Sequence, residues 1–222
     1  MAYSRCNRIW FDKKINTNMA ELDLGILQKS DATEIPGLTY VPDYITIDEQ
    51  NKLIECIDQQ EWTIESVESI RRLQQHGYRY DYKDGILVAS SYLGVLPDWA
   101  GDIADRLYKD GFSERVLDQA TVNEYYPGQG LVGHIDCTTC FGNILITLTL
   151  GSSCIMEFTH YQTKEKAEIL LLPGSLLILK KAARFFWLHS VTGRHVDHYK
   201  GKEFVRDRRI ALTFREALFP YK

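Results

Sequence analysis

The period of the apolar positions changes near residue 118. Upstream of it, Leu53, Ile54 and Ile57 recur at helical spacing behind Thr46 and Glu49, a hydroxyl and a carboxylate placed to cap each other's backbone amides. That arrangement predicts a helix over 47–59. Trp99, Ile103 and Leu107 share a second helical face after Pro97-Asp98, with Gly111 as the stop signal. A short strand is expected at 38–41, after Ile35-Pro36-Gly37. Beyond 118 the apolar runs shorten to strand length, with Gly, Pro and Ser between them: 120–126, 131–136, 143–150, 153–158, 167–172, 175–179, 184–191 and 209–215. Short strands in this number, with two helices outside them, predict a mainly β protein whose core is closed or sandwiched.

Composition sharpens this picture only a little. A chain of 222 residues at 45% hydrophobic can bury one sizeable core and needs no disulfides to do so. No apolar run is long enough for a membrane span, and the first residues lack the apolar stretch of a signal peptide. Five cysteines, an odd number, suit a reducing compartment. The expectation is a monomer of the cytoplasm, or of the nucleus in a eukaryote. A formal charge of −4 argues against a generally basic nucleic-acid coat and leaves room for a local patch.

Candidate chemistry begins at His134-x-Asp136. On a strand, residues two apart point to one side, so both donors converge. His195-x-Asp197 has the same spacing, but no later strand supplies it with a distal histidine. His134 is followed by His189, which shares a predicted strand face with Phe185 and Trp187. Two histidines and one carboxylate with open positions suit non-haem Fe(II). Arg209, Ala211, Thr213 and Arg215 alternate with Ile210, Leu212 and Phe214, which aims two guanidiniums at whatever the small residues line. A dicarboxylate would satisfy them there. Asn123 and Tyr125 add an amide and a phenol on one strand face. Taken singly, each feature has a plainer reading: a turn, a core histidine, a solvent-facing edge strand.

Together these residues resemble the AlkB family of Fe(II)- and 2-oxoglutarate-dependent dioxygenases. The resemblance rests on Asn123-x-Tyr125-x-Pro127-Gly128, His134-x-Asp136, His189 and Arg209-x5-Arg215, in that order. It extends through Leu148-x-Leu150-Gly151-Ser152, Leu172-Pro173-Gly174-Ser175-Leu176 and Thr213-Phe214-Arg215. It implies a double-stranded β-helix (jelly-roll) core within a catalytic domain over 36–217, a substrate lid over 62–93 and an N-terminal extension over 1–35. It further implies that His134, Asp136 and His189 hold Fe(II), and that Arg209, assisted by Tyr125, pairs with the distal carboxylate of 2-oxoglutarate. Asn123 and Arg215 would hold the metal-proximal end, with Arg215 also steadying Asp136. The implied reaction consumes O2 and 2-oxoglutarate, releases succinate and carbon dioxide, and hydroxylates a C–H bond.

For the substrate, the stretch Arg71-Arg72-Leu73-Gln74-Gln75-His76-Gly77-Tyr78-Arg79-Tyr80 is similar to that of the branch of the family that hydroxylates a modified wobble uridine of tRNA. Tyr78, Tyr80 and Tyr82 alternate as on a strand and suit base stacking, while Arg71 and Arg72 suit phosphate; the plain alternative is one packed face of a hairpin. Residues 193–209 carry six cations against three carboxylates and read as a loop for phosphate contact or a solvated loop, with Lys180, Lys181 and Arg184 close by in sequence. Animal members of that branch add RNA-binding and methyltransferase domains, so the expectation is that RNA affinity comes either from the core itself or from a separate methyltransferase or RNA-binding partner. Oxidative demethylation of alkylated bases, or hydroxylation of a protein or small molecule, stands as the alternative, and a jelly-roll binding module as the non-enzymatic one. Cys137-x-x-Cys140 has no second half for a zinc site and reads as loop packing.

Overall fold

The computed structural model describes residues 34–66 and 69–219, so most of the extension expected over 1–35 lies outside the described residues. The elements are β1 (Leu38–Val41), α1 (Ile47–Asp58), β2 (Thr63–Ser66), β3 (Ser69–His76), α2 (Asp98–Lys109), β4 (Gln119–Tyr125), β5 (Leu131–His134), β6 (Phe141–Gly151), β7 (Cys154–His160) and β8 (Lys166–Leu171). They continue with β9 (Leu176–Leu179), α3 (Lys181–Phe185), β10 (Trp187–Val191), β11 (Val196–Tyr199), β12 (Lys202–Val205) and β13 (Arg209–Ala217).

A seven-stranded antiparallel sheet runs β1-β9-β6-β13-β4-β3-β2, and a four-stranded one runs β5-β10-β7-β8. The larger sheet is buried on both faces, which explains why its polar positions are not solvent positions. One face presents Ile146, Leu148, Leu150, Ile210, Leu212 and Phe214 to Leu53 and Ile57 of α1 and Trp99, Ile103 and Leu107 of α2. The opposite face presents Leu145, Leu177 and Leu179 to Met156, Phe158, Ile169, Trp187 and Val191 of the smaller sheet. Each fully buried side chain of this size is worth about 1.5–3 kcal/mol. The result is a jelly roll with α1 and α2 on one side. α1 begins on the expected capping box: Glu49 N donates to Thr46 Oγ1 at 3.2 Å, and Thr46 N donates to Glu49 Oε2 at 2.7 Å.

The structure departs from the sequence expectations in four places. The strand expected over 131–136 ends at His134, so Asp136 lies just beyond it. The single strand expected over 184–191 is α3 followed by β10, because Lys181 takes a positive φ of 49° and folds the chain into a turn. The loop expected over 193–209 contains the hairpin β11–β12. Tyr78, Tyr80 and Tyr82 are not on one strand. β3 ends at His76, and Gly77, at φ +79°, turns the chain off the sheet where a Cβ would meet Asp118 O at 1.9 Å. The first part of the expected lid, β2 and β3, is therefore sheet, and the remainder is a loop with a single 3-10 turn at Ala89–Ser91.

His76 carries a pH signature. Its ring stands edge-on to Trp99 at 5.3 Å, and burial pulls its pKa down to about 4. The folded protein keeps it neutral down to that value, whereas the unfolded chain takes up the proton near 6.5. Between the two the unfolded state binds more protons, so stability falls as pH falls. His76→Gln is expected to flatten this loss by up to about 3 kcal/mol across that window, read as the difference between wild-type and variant melts at neutral pH and near pH 4.5. Equal slopes would show that His76 titrates normally.

Candidate active site

The jelly-roll ladder itself assembles a donor cluster. β5 and β10 are antiparallel neighbours with His134 directly opposite His189, so their side chains leave the sheet side by side. Asp136 follows two residues after His134 and returns to the same face. His134 Nε2 lies 3.3 Å, and His189 Nε2 3.5 Å, from Asp136 Oδ1, and the donor atoms of all three residues lie within 4.8 Å of one another. The Nδ1 of His134 is 2.9 Å from Val132 O, a carbonyl that can only accept, so Nδ1 is engaged by the main chain and Nε2 is the ring nitrogen turned toward Asp136. Burial holds the His189 pKa down at about 4 although Asp136 opposes it, so this ring is neutral and able to coordinate at neutral pH. Burial pushes the Asp136 carboxyl up, but Arg215, His134 and His189 together hold it well below the usual carboxylate range.

The second half of the site comes from the alternation on β13. Arg209, Ala211, Thr213 and Arg215 face the cavity, opposite Tyr125, Asn123, Thr121 and Gln119 on β4. Arg215 Nε donates to Asp136 Oδ2 at 2.7 Å, and its Nη1 reaches Gln119 Oε1 and Thr121 Oγ1 at 3.1 and 3.0 Å. That guanidinium is held by one carboxylate and two neutral acceptors. Arg209 differs. It is 4% exposed, stacks over Tyr125 at 5.5 Å and donates once to Thr149 Oγ1 at 3.3 Å, while its Nε has no partner among the described residues. The Asn123 side-chain oxygen is likewise buried and unpartnered among them. A buried cation so poorly served is costly unless an anion completes it.

These groups line one cavity of about 410 Å³, whose walls add Met156, Leu177, Leu179 and Val191 as apolar surface, with Arg71, Tyr80, Tyr82 and Val132 among its lining. Arg71 Nη1 donates to Tyr125 Oη at 3.4 Å.

Three residues expected to meet substrate do not line it. Arg72 sits next to Arg71 on β3, and the strand period sends it to the opposite face. There it pairs with Glu124 at 2.6 and 2.8 Å and stacks over Trp62. Tyr78 packs against Tyr92 and Phe219 at 5.0 and 4.9 Å. Arg184 is buried and donates to main-chain carbonyls, with its Nη1 2.9 Å from Asp136 O.

The basic segment 193–209 is largely neutralised. Arg194 pairs with Glu157, Arg206 with the fully buried Asp197, Arg208 with Asp58 and Glu124, and Arg209 turns inward. Asp197, read as part of an exposed turn, is therefore a core ion pair. Cys137 and Cys140, read as simple loop packing, are joined as a disulfide across the turn after Asp136, with Cα atoms 5.3 Å apart. Gln119 and Thr121 went unrecognised as part of the site, although every second residue from Gln119 to Tyr125 is polar and the whole strand is buried.

Two histidines and a carboxylate on one face, open to a cavity that also holds an under-partnered arginine, define a non-haem iron oxygenase site that takes a dicarboxylate co-substrate. The donor set fits Fe(II). The chain belongs to the 2OG-Fe(II) oxygenase superfamily, whose sequence profile matches residues 37–215, and it is a 2-oxoglutarate-dependent dioxygenase of the AlkB-like kind.

An uncharacterized protein of Acanthamoeba polyphaga mimivirus is 35% identical over 193 residues, covering 84% of this chain and 88% of its own. A mouse (Mus musculus) protein named tRNA (carboxymethyluridine(34)-5-O)-methyltransferase ALKBH8 is 32% identical over 176 residues, covering 76% of this chain. The match spans only 26% of the mouse protein's length. Among solved structures, that of OsALKBH1 superposes with a TM-score of 0.56 at 15% identity, covering 82% of this chain and 98% of its own; that likeness concerns the fold.

Proposed function

We propose that this dioxygenase hydroxylates a modified nucleotide in RNA, with a tRNA wobble uridine as the target. The observation that carries the chemistry is the placement of Arg209, with an unpartnered Nε, in the same cavity as the His134–Asp136–His189 cluster. In this reading the three cluster residues hold Fe(II). When bound, the metal supplies the positions at which 2-oxoglutarate is decarboxylated and O2 is reduced, so that one oxygen atom enters a substrate C–H bond. Arg209, with Tyr125 beside it, pairs with the distal carboxylate of 2-oxoglutarate. Asn123 orients the near end, and Arg215 keeps Asp136 ionised and aimed. The apolar wall excludes water from the reacting centre.

The substrate class rests on two supports. Tyr80 and Tyr82, packed edge to face at 4.8 Å, line the cavity together with Arg71 and would bring aromatic surface to an unstacked base. The mouse relative's name specifies a uridine at tRNA position 34. Methyl transfer is not carried over, since only about a quarter of that protein is matched. A separate methyltransferase or RNA-binding partner is part of the proposal.

Succinate release from 2-oxoglutarate tests it, with Fe(II) and in turn no prime substrate, tRNA carrying a modified wobble uridine, and methylated oligonucleotides. Stimulation by the tRNA, with the nucleoside gaining one oxygen atom, is expected. Formaldehyde release from methylated oligonucleotides alone would instead establish the demethylase reading. Because Arg194, Arg206 and Arg208 of the 193–209 segment are held by carboxylates of the fold, RNA affinity should depend only modestly on salt. The exposed Arg79 and Lys83 beside Tyr80 and Tyr82 supply about two phosphate contacts, for a log–log slope near −1.5. A slope near −4 would mean that the 193–209 pairs open to meet phosphate.

A further inference from the structure

Asp136 is the one member of the donor cluster that no strand register fixes. β5 ends at His134, and the ladder between β5 and β10 aligns His134 and His189 but does not reach two residues further. Its carboxylate is aimed by Arg215. Something else must hold its main chain.

We propose that Arg184 is a positioning residue of the metal centre, clamping the backbone that carries Asp136 rather than touching substrate. This rests on the metal-binding reading of the cluster. Arg184 is 2% exposed, and its hydrogen bonds all go to main-chain carbonyls. Its Nη1 donates to Asp136 O at 2.9 Å and its Nη2 to Cys137 O at 3.1 Å. Longer contacts run from Nη2 to Phe141 O at 3.5 Å and from Nε to Gly142 O at 3.4 Å.

One planar fork therefore ties the exit of β5 to the start of β6, the two ends of the turn stapled by Cys137–Cys140. Burying a cation among carbonyl dipoles alone is a poor choice for stability. It is a good choice for holding several carbonyls in a fixed fan, which the five donors of a guanidinium do and an ammonium does not. The short helix α3 exists where a strand was expected, and its turn carries Arg184 into this position. Asp136 thus has one arginine on its carboxylate and another on its main chain. Groups that orient a metal ligand in this way are typically worth 10–100-fold in metal affinity.

The test uses Co(II), whose visible absorption reports both affinity and coordination geometry, on the full chain with wild type, Arg184→Lys and Arg184→Met. Wild type is expected to bind one Co(II). Arg184→Lys, which keeps the charge but reaches fewer carbonyls, is expected to bind it about tenfold more weakly, with an altered spectrum and a near wild-type melting point without metal. Arg184→Met is expected to lose affinity by about a hundredfold. RNA binding measured without metal should be unchanged in Arg184→Lys, which separates this role from substrate contact. Wild-type Co(II) affinity and spectrum in Arg184→Lys would overturn the proposal, whatever the stability of Arg184→Met. Failure of the wild type to bind Co(II) would instead overturn the metal reading of the cluster, and this inference with it.

Discussion

Asp136→Ala is expected to abolish iron binding, lower turnover by well over about a hundredfold and also destabilise the metal-free protein. The functional loss follows from the donor set. With only His134 and His189 left, the metal keeps two neutral ligands, a larger defect than losing a ligand's hydrogen-bond partner, which already costs about 10–100-fold. The stability loss has a separate origin. Arg215 is buried and has one charged partner, the Asp136 carboxylate 2.7 Å from its Nε. Gln119 and Thr121 would still accept from it, yet neither neutralises it. Breaking a buried pair from one side costs about 3–5 kcal/mol. Asp136→Asn divides the two effects: the amide fills the same space and still accepts from Arg215 without neutralising it, so the folding loss should be smaller than in Asp136→Ala while iron binding is lost all the same. Stoichiometric iron in Asp136→Asn would sink the assignment of Asp136 as the anionic ligand. An Asp136→Ala protein as stable as wild type would show that Arg215 finds another anion.

How much of this was legible along the chain depends on whether a residue's role is set by its own strand or by a distant partner. The α1 capping box is local, and Thr46 and Glu49 announce it. The β13 alternation is also local. Ile210, Leu212 and Phe214 could face only an apolar layer, which sends Arg209 and Arg215 the other way. The strand period also separates Arg71 from Arg72, a consequence that reading the pair as one basic patch overlooked.

The rest depended on tertiary partners. Net positive charge over 193–209 suggested phosphate contact, but Glu157, Asp58 and Glu124 arrive from three other elements to pair with Arg194 and Arg208. Arg184 lay in an apolar run that fits a strand, and only the fold shows that its guanidinium is needed by carbonyls more than 40 residues earlier. The plain alternation of Phe185, Trp187 and His189 gave no sign that the first of them belongs to a helical turn.

Arg209→Met is expected to leave the protein at least as stable as wild type when 2-oxoglutarate is absent, and nearly unable to bind it when present. The two halves have one cause. In the ligand-free protein Arg209 is a buried cation with a single 3.3 Å hydrogen bond to Thr149, contact with the Tyr125 ring and an Nε without a partner among the described residues. Replacing poorly compensated buried charge with an apolar side chain of similar length is often neutral or stabilising by about 1–4 kcal/mol. Nothing in the fold therefore requires this arginine. A carboxylate arriving opposite it would supply the missing acceptor in a dry setting, where deleting one partner of a hydrogen-bonded charge pair costs about 2–5 kcal/mol. At about 1.4 kcal/mol per tenfold, that is a loss of roughly 30- to 3,000-fold in 2-oxoglutarate affinity. Arg209→Lys should fall between, since an ammonium cannot pair with both oxygens at once. Thermal shift reads both halves in one experiment. The melting point of wild type should climb with added 2-oxoglutarate, as binding to the folded state alone requires, while Arg209→Met should start as high or higher and stay flat. A variant that melts lower without ligand yet still climbs with it would place the distal carboxylate elsewhere and leave Arg209 as a structural cation.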